Sequence, residues 1–406
     1  MKMKGCHAMR RGLAQVGRLA LLPVLCSLLL SGCWDRIEVN DLAIVLATGI
    51  DYADNKVQLT AQFFIPRKAG TGSGGSGSLE GSPSGVTMTR TAEGITIAEA
   101  LNRLQRKVSR NVFWGHCEVL VISKAAGKHG LREFIDFLLR YPQFREHAYV
   151  FSAGEDAKSL LELLPPLERS SAESLREMGN LKLGTRITVL ELAQSIEGPS
   201  RSVILTQLLR LPPEPGQNQY ASDPFVRGLS LYKNDRYIKT IDEPLTIGVL
   251  MLANELNNII MPTEVEDYKG GVSIRPINMR ATMNPQITGG KWKMKIHIES
   301  EGEVVLNTTD MTLSDAKFRK VLEKAWEKKL EGYAQMALHM AQKQLKTDFF
   351  KFAVEFRRHY PKQWLQNKAN WEQIFPQVET EISVRTVIVR TGKSTEPQGI
   401  PDQEDS

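Results

Sequence analysis

Glu118-Val119-Leu120-Val121-Ile122 is a short apolar run, and its continuation toward Leu164 decides the architecture. Leu131, Phe134, Ile135 and Leu138 recur at helical spacing, and His147-Ala148-Tyr149-Val150-Phe151 forms a second short run. A further helical stretch from Glu155 to Leu164 stops at Pro165-Pro166. Strand, helix, strand and helix in succession predict at least one parallel crossover, because parallel neighbours need a connection long enough to cross the sheet.

Upstream, Asp41 to Tyr52 and Lys56 to Ile65 read as two strands with the turn residues Asp54-Asn55 between them. Val57, Leu59, Ala61, Phe63 and Ile65 share one face of the second strand. An antiparallel pair joined to a parallel crossover predicts a mixed sheet. Residues 70–85 are mostly Gly and Ser and read as a flexible loop. Gly70 to Gly75 formally fits G-x-G-x-x-G, but more Gly and Ser follow where a dinucleotide site requires a helix. Thr96 and Glu99 have capping-box spacing, opening a helix through Ala100, Leu101, Leu104 and Val108.

Downstream, Val203 to Leu211 reads as a strand, followed by a break at Pro212-Pro213 and Pro215-Gly216. Gly228 to Tyr232 and Arg236 to Ile241 form a hairpin around Asn234-Asp235, and Pro244 opens a helix to Leu256. Trp292, Met294, Ile296 and Ile298 alternate with Lys293, Lys295 and His297, as in a strand buried on one face. Ser314 is the expected N-cap of the longest helix, which runs to residue 360 and is closed by Pro361. Its stripe includes Phe318, Leu322, Trp326 and Met336, extended by Phe349, Phe352 and Phe356, and is assigned to core packing rather than to a partner. Val378 to Val389 is a final strand. The expected fold class is α+β, with three mixed α/β domains containing mixed or antiparallel sheets. The domains are placed at residues 33–200, 201–270 and 271–393, with a disordered tail over 394–406.

The N-terminus carries a different signal. Lys2, Lys4, Arg10, Arg11 and Arg18 precede an apolar stretch from Leu19 to Leu30, with no acidic residue before position 33. This is the build of a secretory signal peptide over residues 1–32. Pro23 interrupts the apolar stretch, which is also too short to span a bilayer. Leu30-Ser31-Gly32-Cys33 is the pattern read by the bacterial lipoprotein pathway: the Cys33 thiol takes diacylglycerol, and cleavage makes Cys33 the new N-terminus.

That assignment changes the meaning of the charge. The whole chain has 52 Lys and Arg against 46 Asp and Glu, a net charge of +6, and five of the basic residues belong to the leader. The remainder has a net charge of about +1 and no long basic run, so charge gives no support for a nucleic-acid partner. Of the 4 cysteines, Cys6 and Cys26 fall in the leader and Cys33 is lipidated. Cys117 is left as the single free thiol, and no intramolecular disulfide forms. No later stretch is apolar for long enough to span a membrane.

The residues after the anchor, Gly32-Cys33-Trp34-Asp35-Arg36-Ile37-Glu38-Val39-Asn40-Asp41-Leu42-Ala43, resemble the mature start of the C subunit of GerA-type spore germinant receptors. Arg110 to Glu118, Gly130-Leu131, Arg140, Arg145 and Gly228 to Asp242 are similar to further segments of that family. So is the closing region with Asp348, Phe349, Phe352, Arg357, Pro361, Trp364, Trp371 and Phe375. One departure is that Phe350 to Ala353 lacks the glycines common there, which bears on the local bend of the helix. The resemblance implies three mixed α and β domains and a lipoprotein in the inner membrane of the spore. It also implies two integral-membrane partners, the A and B subunits, and a chain that is not itself an enzyme.

Other constellations are weak. His116-Cys117 suggests a thiol–imidazole pair, but adjacent strand residues face opposite ways and no orienting group is evident, so a buried structural cysteine is expected. The 7 histidines lack metal-ligand spacing, and neither a metal nor a cofactor beyond the lipid is expected. Trp34, Asp35, Arg36 and Glu38 are candidate docking residues where the chain leaves the bilayer. The rival function is a solute-binding lipoprotein that delivers a small nutrient to a transporter. Such proteins show two similar lobes, whereas the last third of this chain is strand-rich around one long helix.

Overall fold

The structure, a computed structural model, describes residues 41–66, 86–266 and 268–394. The signal peptide, the Gly/Ser loop at 70–85 and the tail beyond Ser394 lie outside the described residues. β1 (Leu42–Ala53) and β2 (Lys56–Phe64) form the expected hairpin, with Tyr52 opposite Val57. Asp54 and Asn55 take left-handed conformations at its turn. β3 (Thr87–Gly94) pairs outside β2 and leads to α1 (Ile97–Gln105). The Thr96 hydroxyl accepts from the Glu99 N–H at 3.2 Å, while the Glu99 carboxylate reaches the N–H of Ile95 at 2.7 Å, one residue before the cap. β4 (Asn111–Phe113) lies beside β1.

The strand–helix alternation comes next: β5 (Val119–Ser123), α2 (Lys124–His129), α3 (Arg132–Arg140), β6 (Tyr149–Ala153) and α4 (Ala157–Leu161). α4 is shorter than the expected helix, because Asp156 caps it at Ser159 and the chain leaves helical geometry well before Pro165. α5 (Ser171–Asn180) and α6 (Val189–Glu197) then complete the crossover to β7 (Ser202–Arg210). β8 (Pro224–Lys233) and β9 (Arg236–Ile241) form the expected hairpin. Strand order is β3-β2-β1-β5-β6-β7-β8-β9. β1, β5, β6 and β7 run parallel and the outer strands antiparallel, so the sheet is mixed.

Residue 201, expected as a domain boundary, is no break between sheets. β7 pairs with β6 through Ser152–Gln207 and Ala153–Leu208, and β8 and β9 continue from it. One face of the parallel strands packs on α4 and α5 through Val119, Val121, Phe151, Leu160, Leu161 and Leu175. Ile204, Leu229, Leu231 and Ile241 instead join the core of the C-terminal half. β7 is buried on both faces from Val203 to Leu208, and this is what welds the two halves together.

In that half, α7 (Leu245–Leu252) precedes β10 (Met261–Glu264), β11 (Gly271–Thr288) and β12 (Lys291–Asn307). α8 (Ala316–His339), α9 (Phe352–His359), α10 (Pro361–Asn367) and α11 (Trp371–Ile374) lead to β13 (Glu379–Arg390), which pairs parallel with β12. The second sheet has the order β10-β11-β12-β13. α8 packs with Phe318, Leu322, Trp326 and Leu330 buried, and a side chain at Gly302 of β12 would lie 2.5 Å from the Trp326 ring. α7 is apolar on all sides, as a helix enclosed in the core must be. Its Gly248 lies so close to α8 that an added Cβ would stand 2.2 Å from the Tyr333 carbonyl oxygen.

The expected single helix over 314–360 is two helices and begins one residue later. Asp315 is the N-cap, accepting from the Lys317 N–H at 2.7 Å, because its carboxylate reaches the free donor while Ser314 bonds Thr312. α8 ends at His339 and widens into a π-helical turn over Met340–Gln344. The chain then turns through Lys346 and Lys351, both left-handed, without using glycine. Pro361 opens α10 at its first turn instead of closing the preceding helix. Phe349, Phe352 and Phe356 are buried in the core as expected, whereas Met336 is 39% exposed.

Candidate functional site

The anchoring and docking residues read from the sequence, Leu30, Ser31, Gly32, Cys33, Trp34, Asp35, Arg36 and Glu38, lie outside the described residues. The other singled-out segments converge in part. Leu131 N–H donates to the Asp235 carbonyl at 2.8 Å, and Asn234 N–H donates to the Arg201 carbonyl at 2.7 Å. Gly130 has φ +127°, and a Cβ there would meet the Asp235 carboxylate at 2.9 Å. The β8–β9 turn is thereby held between the start of α3 and the turn Gly198–Arg201, although these segments are far apart in the chain.

Asp348 ties that turn to the C-terminal helices. Its carboxylate accepts from the N–H groups of Phe352 at 3.0 Å and Ala353 at 2.8 Å, capping α9 from four residues upstream. It also accepts from the Ser200 hydroxyl at 2.7 Å, and the Ser202 hydroxyl donates to the Asp348 carbonyl at 2.5 Å. The side chain is 2% exposed, and burial pushes its carboxyl above the usual range against the downward pull of these donors. A carboxylate so placed compensates for the missing helical bonds at the break after α8.

Beside this junction lies a cleft of about 810 Å³, within the size range of small-molecule sites. Asp348, Arg357, Pro361, Trp364, Trp371 and Phe375, all in the closing region read from the sequence, line it. Trp364 and Trp371 meet edge to face at 5.3 Å and form a buried aromatic wall. Arg201, Lys233, Lys346, Arg357 and Lys368 line the cleft with the acidic residues Glu197, Asp348 and Glu372. Lys233 pairs with Glu372 at 3.2 Å, and Asp348 is engaged as described. Arg201, Lys346 and Lys368 carry no motif by which sequence could have found them; only the meeting of three distant segments makes them neighbours.

His116 and Cys117 precede β5 in a turn rather than lying on the strand, but they still part company: Cys117 is fully buried and His116 exposed. The Cys117 thiol lies 3.2 Å from the Thr48 hydroxyl and donates to the Val119 carbonyl at 3.4 Å. Burial pushes it up to about 12, the opposite of an activated nucleophile. His147 is exposed in a separate turn. Arg140 pairs with Asp136 at 2.8 Å, while Glu118 is held by Arg176 at 2.9 Å with Arg145 at 3.9 Å. Among the described residues, no group of three or more His, Cys, Asp or Glu is placed to hold a metal, and no helix is long and apolar enough to cross a membrane.

Two family profiles match this chain: the spore germination protein N-terminal domain over residues 35–209, and the spore germination B3/GerAC-like C-terminal region over residues 227–392. The chain belongs to the GerAC family of spore germination proteins. Spore germination protein KC of Bacillus subtilis (strain 168) is 26% identical over 397 residues, covering 93% of this chain and 97% of its own length. The putative spore germination protein YfkR of the same organism is 26% identical over 377 residues, covering 89% and 93%. The crystal structure of the GerBC protein aligns with a TM-score of 0.56 at 16% identity, covering 84% of this chain and 97% of that one, and shows the shared fold. The two GerAC profiles meet between β7 and β8, which pair along nearly their whole length, so the family's two portions share one sheet.

Proposed function

We propose that this chain is the lipid-anchored C subunit of a nutrient germinant receptor, a non-catalytic part required for assembly of the receptor and for the signalling that starts germination. The observation that carries this reading is the end-to-end match with spore germination protein KC, which takes in 93% of this chain and 97% of that protein. A match of that extent concerns the whole body rather than one borrowed domain. The sequence Leu30-Ser31-Gly32-Cys33 supports a diacylglyceryl anchor on the outer face of the membrane, in the inner membrane of the spore. Each buried CH₂ of the acyl chains contributes about 0.8 kcal/mol, and two chains make attachment stable where one is marginal. The buried, protonated thiol of Cys117 supports a non-catalytic body.

The partners are the integral-membrane A and B subunits and membrane lipid, with no nucleic acid and no metal. Trp34, Asp35, Arg36 and Glu38 dock on a membrane subunit, being the first side chains beyond the anchor. Deleting the coding sequence abolishes germination in response to at least one nutrient; normal responses to every nutrient that the parent strain senses overturn the receptor reading. Reversing the charges of Asp35 and Arg36 reduces co-purification with the membrane subunits, and undiminished recovery removes the docking role.

A further inference from the structure

We infer that the cleft between the Gly198–Arg201 turn and the helices α9 to α11 is a binding site for a small organic anion carrying two or more carboxylate groups. Lys233 already has its partner, Glu372. Arg201, Lys346, Arg357 and Lys368 are exposed and line the same concavity, and among the described residues none of the four side chains makes an ion pair. Elsewhere on the surface, cations such as Arg140, Arg169, Arg275 and Lys293 sit against carboxylates. Glu197 is the remaining acidic residue of the lining, so four cations face one carboxylate; like charges in such excess repel one another, and a multivalent anion relieves that repulsion at several points at once.

The walls set the ligand class. The two guanidinium groups offer paired donors suited to carboxylate oxygens, and the two lysines add point charges. Asp348 does not compete as an internal anion, because its carboxylate is buried and engaged by Ser200, Phe352 and Ala353. Leu365, at 65% exposure, and Pro361 add apolar surface to the lining, which suits a ligand with a carbon frame. The volume of about 810 Å³ accommodates a molecule of small-metabolite size. Because its cations come from both halves of the chain, an occupant bridges the turn before β7 to the helices beyond Asp348.

The test uses the full chain in detergent, titrated calorimetrically with citrate and with benzene-1,3,5-tricarboxylate. Acetate and sodium chloride at matched ionic strength serve as controls. At least one tricarboxylate binds with one-site stoichiometry and raises the melting temperature by about 3 °C above the salt control. Arg201→Gln and Arg357→Gln each weaken that binding by about tenfold or more, as loss of a charge-assisted hydrogen bond does. Lys295→Gln, an exposed cation on β12 away from the cleft, leaves it unchanged. Both arginine variants retain the wild-type melting temperature without ligand, since their side chains are exposed. Absence of binding by both tricarboxylates, or binding that survives both arginine substitutions, overturns the inference. These measurements do not depend on germination, so their failure leaves the receptor reading standing, and the reverse also holds.

Discussion

Replacing Asp348 tests the claim that one carboxylate both starts α9 and fastens it to the first sheet. In Asp348→Asn, one of the two acceptor oxygens becomes a donor. Either Phe352 or Ala353 then loses its only side-chain acceptor, while the Ser200 hydroxyl can rotate to accept instead. A buried donor left unpaired costs about 1–3 kcal/mol, and that is the expected loss for the Asn variant. Asp348→Ala strands both N–H groups and should cost about twice as much, roughly 2–6 kcal/mol. Urea unfolding followed by circular dichroism gives the order wild type, Asn, Ala. Amide exchange at Phe352 and Ala353 should accelerate in both variants ahead of exchange in β11 and β12. A double-mutant cycle with Ser200→Ala should show a coupling of about 1 kcal/mol, because the two side chains share a bond. An Asn variant within about 0.5 kcal/mol of wild type, or strict additivity with Ser200→Ala, refutes the reasoning.

Gly248→Ala forces a methyl group against the Tyr333 carbonyl, where the gap is 2.2 Å, and should destabilise the chain by about 1–3 kcal/mol in the same urea assay. Gly332→Ala, on the same helix as Tyr333 but with nothing within 4 Å of an added Cβ, should show no such loss. Cys117, whose thiol is pushed up to about 12, should resist iodoacetamide in the folded chain from neutral pH to about pH 9, and unfolding should restore ordinary reactivity. Peptide mapping of the adduct separates it from Cys6, Cys26 and Cys33. Cys33→Ala should leave circular dichroism unchanged while moving the protein out of the membrane fraction and slowing germination; normal fractionation, with no acyl label on the wild type, would count against the anchor.

Much of the first sheet was legible because its signals are local. The alternation from Val57 to Ile65 gave β2, the turn residues Asp54-Asn55 gave the hairpin, and the succession after Glu118 gave the parallel crossovers. Two helices were missed although their caps are written in the chain. Ser170 with Glu173 and Thr188 with Glu191 both have capping-box spacing, and the second pair makes both reciprocal bonds. The break near Asp348 was hidden for a different reason. Phe349, Phe352 and Phe356 continue an apolar period that a helix would also show, and no glycine marks the turn. What starts the next helix afresh at Phe352 is a buried carboxylate whose partners include Ser200, almost 150 positions upstream.

Sequence by itself determined the central strands of the first sheet and the mixed α+β class, because strand and helix periods are written over a few adjacent residues. It also placed Asp348, Arg357, Trp364 and Trp371 among the residues worth following. Only the tertiary structure decided that β7 to β9 extend the first sheet while packing into the second core, and that Arg201, Lys346, Arg357 and Lys368 face one cleft. Those facts depend on which strand edges pair and which turns meet. Such choices are made by contacts between segments far apart in the chain, and no local pattern records them.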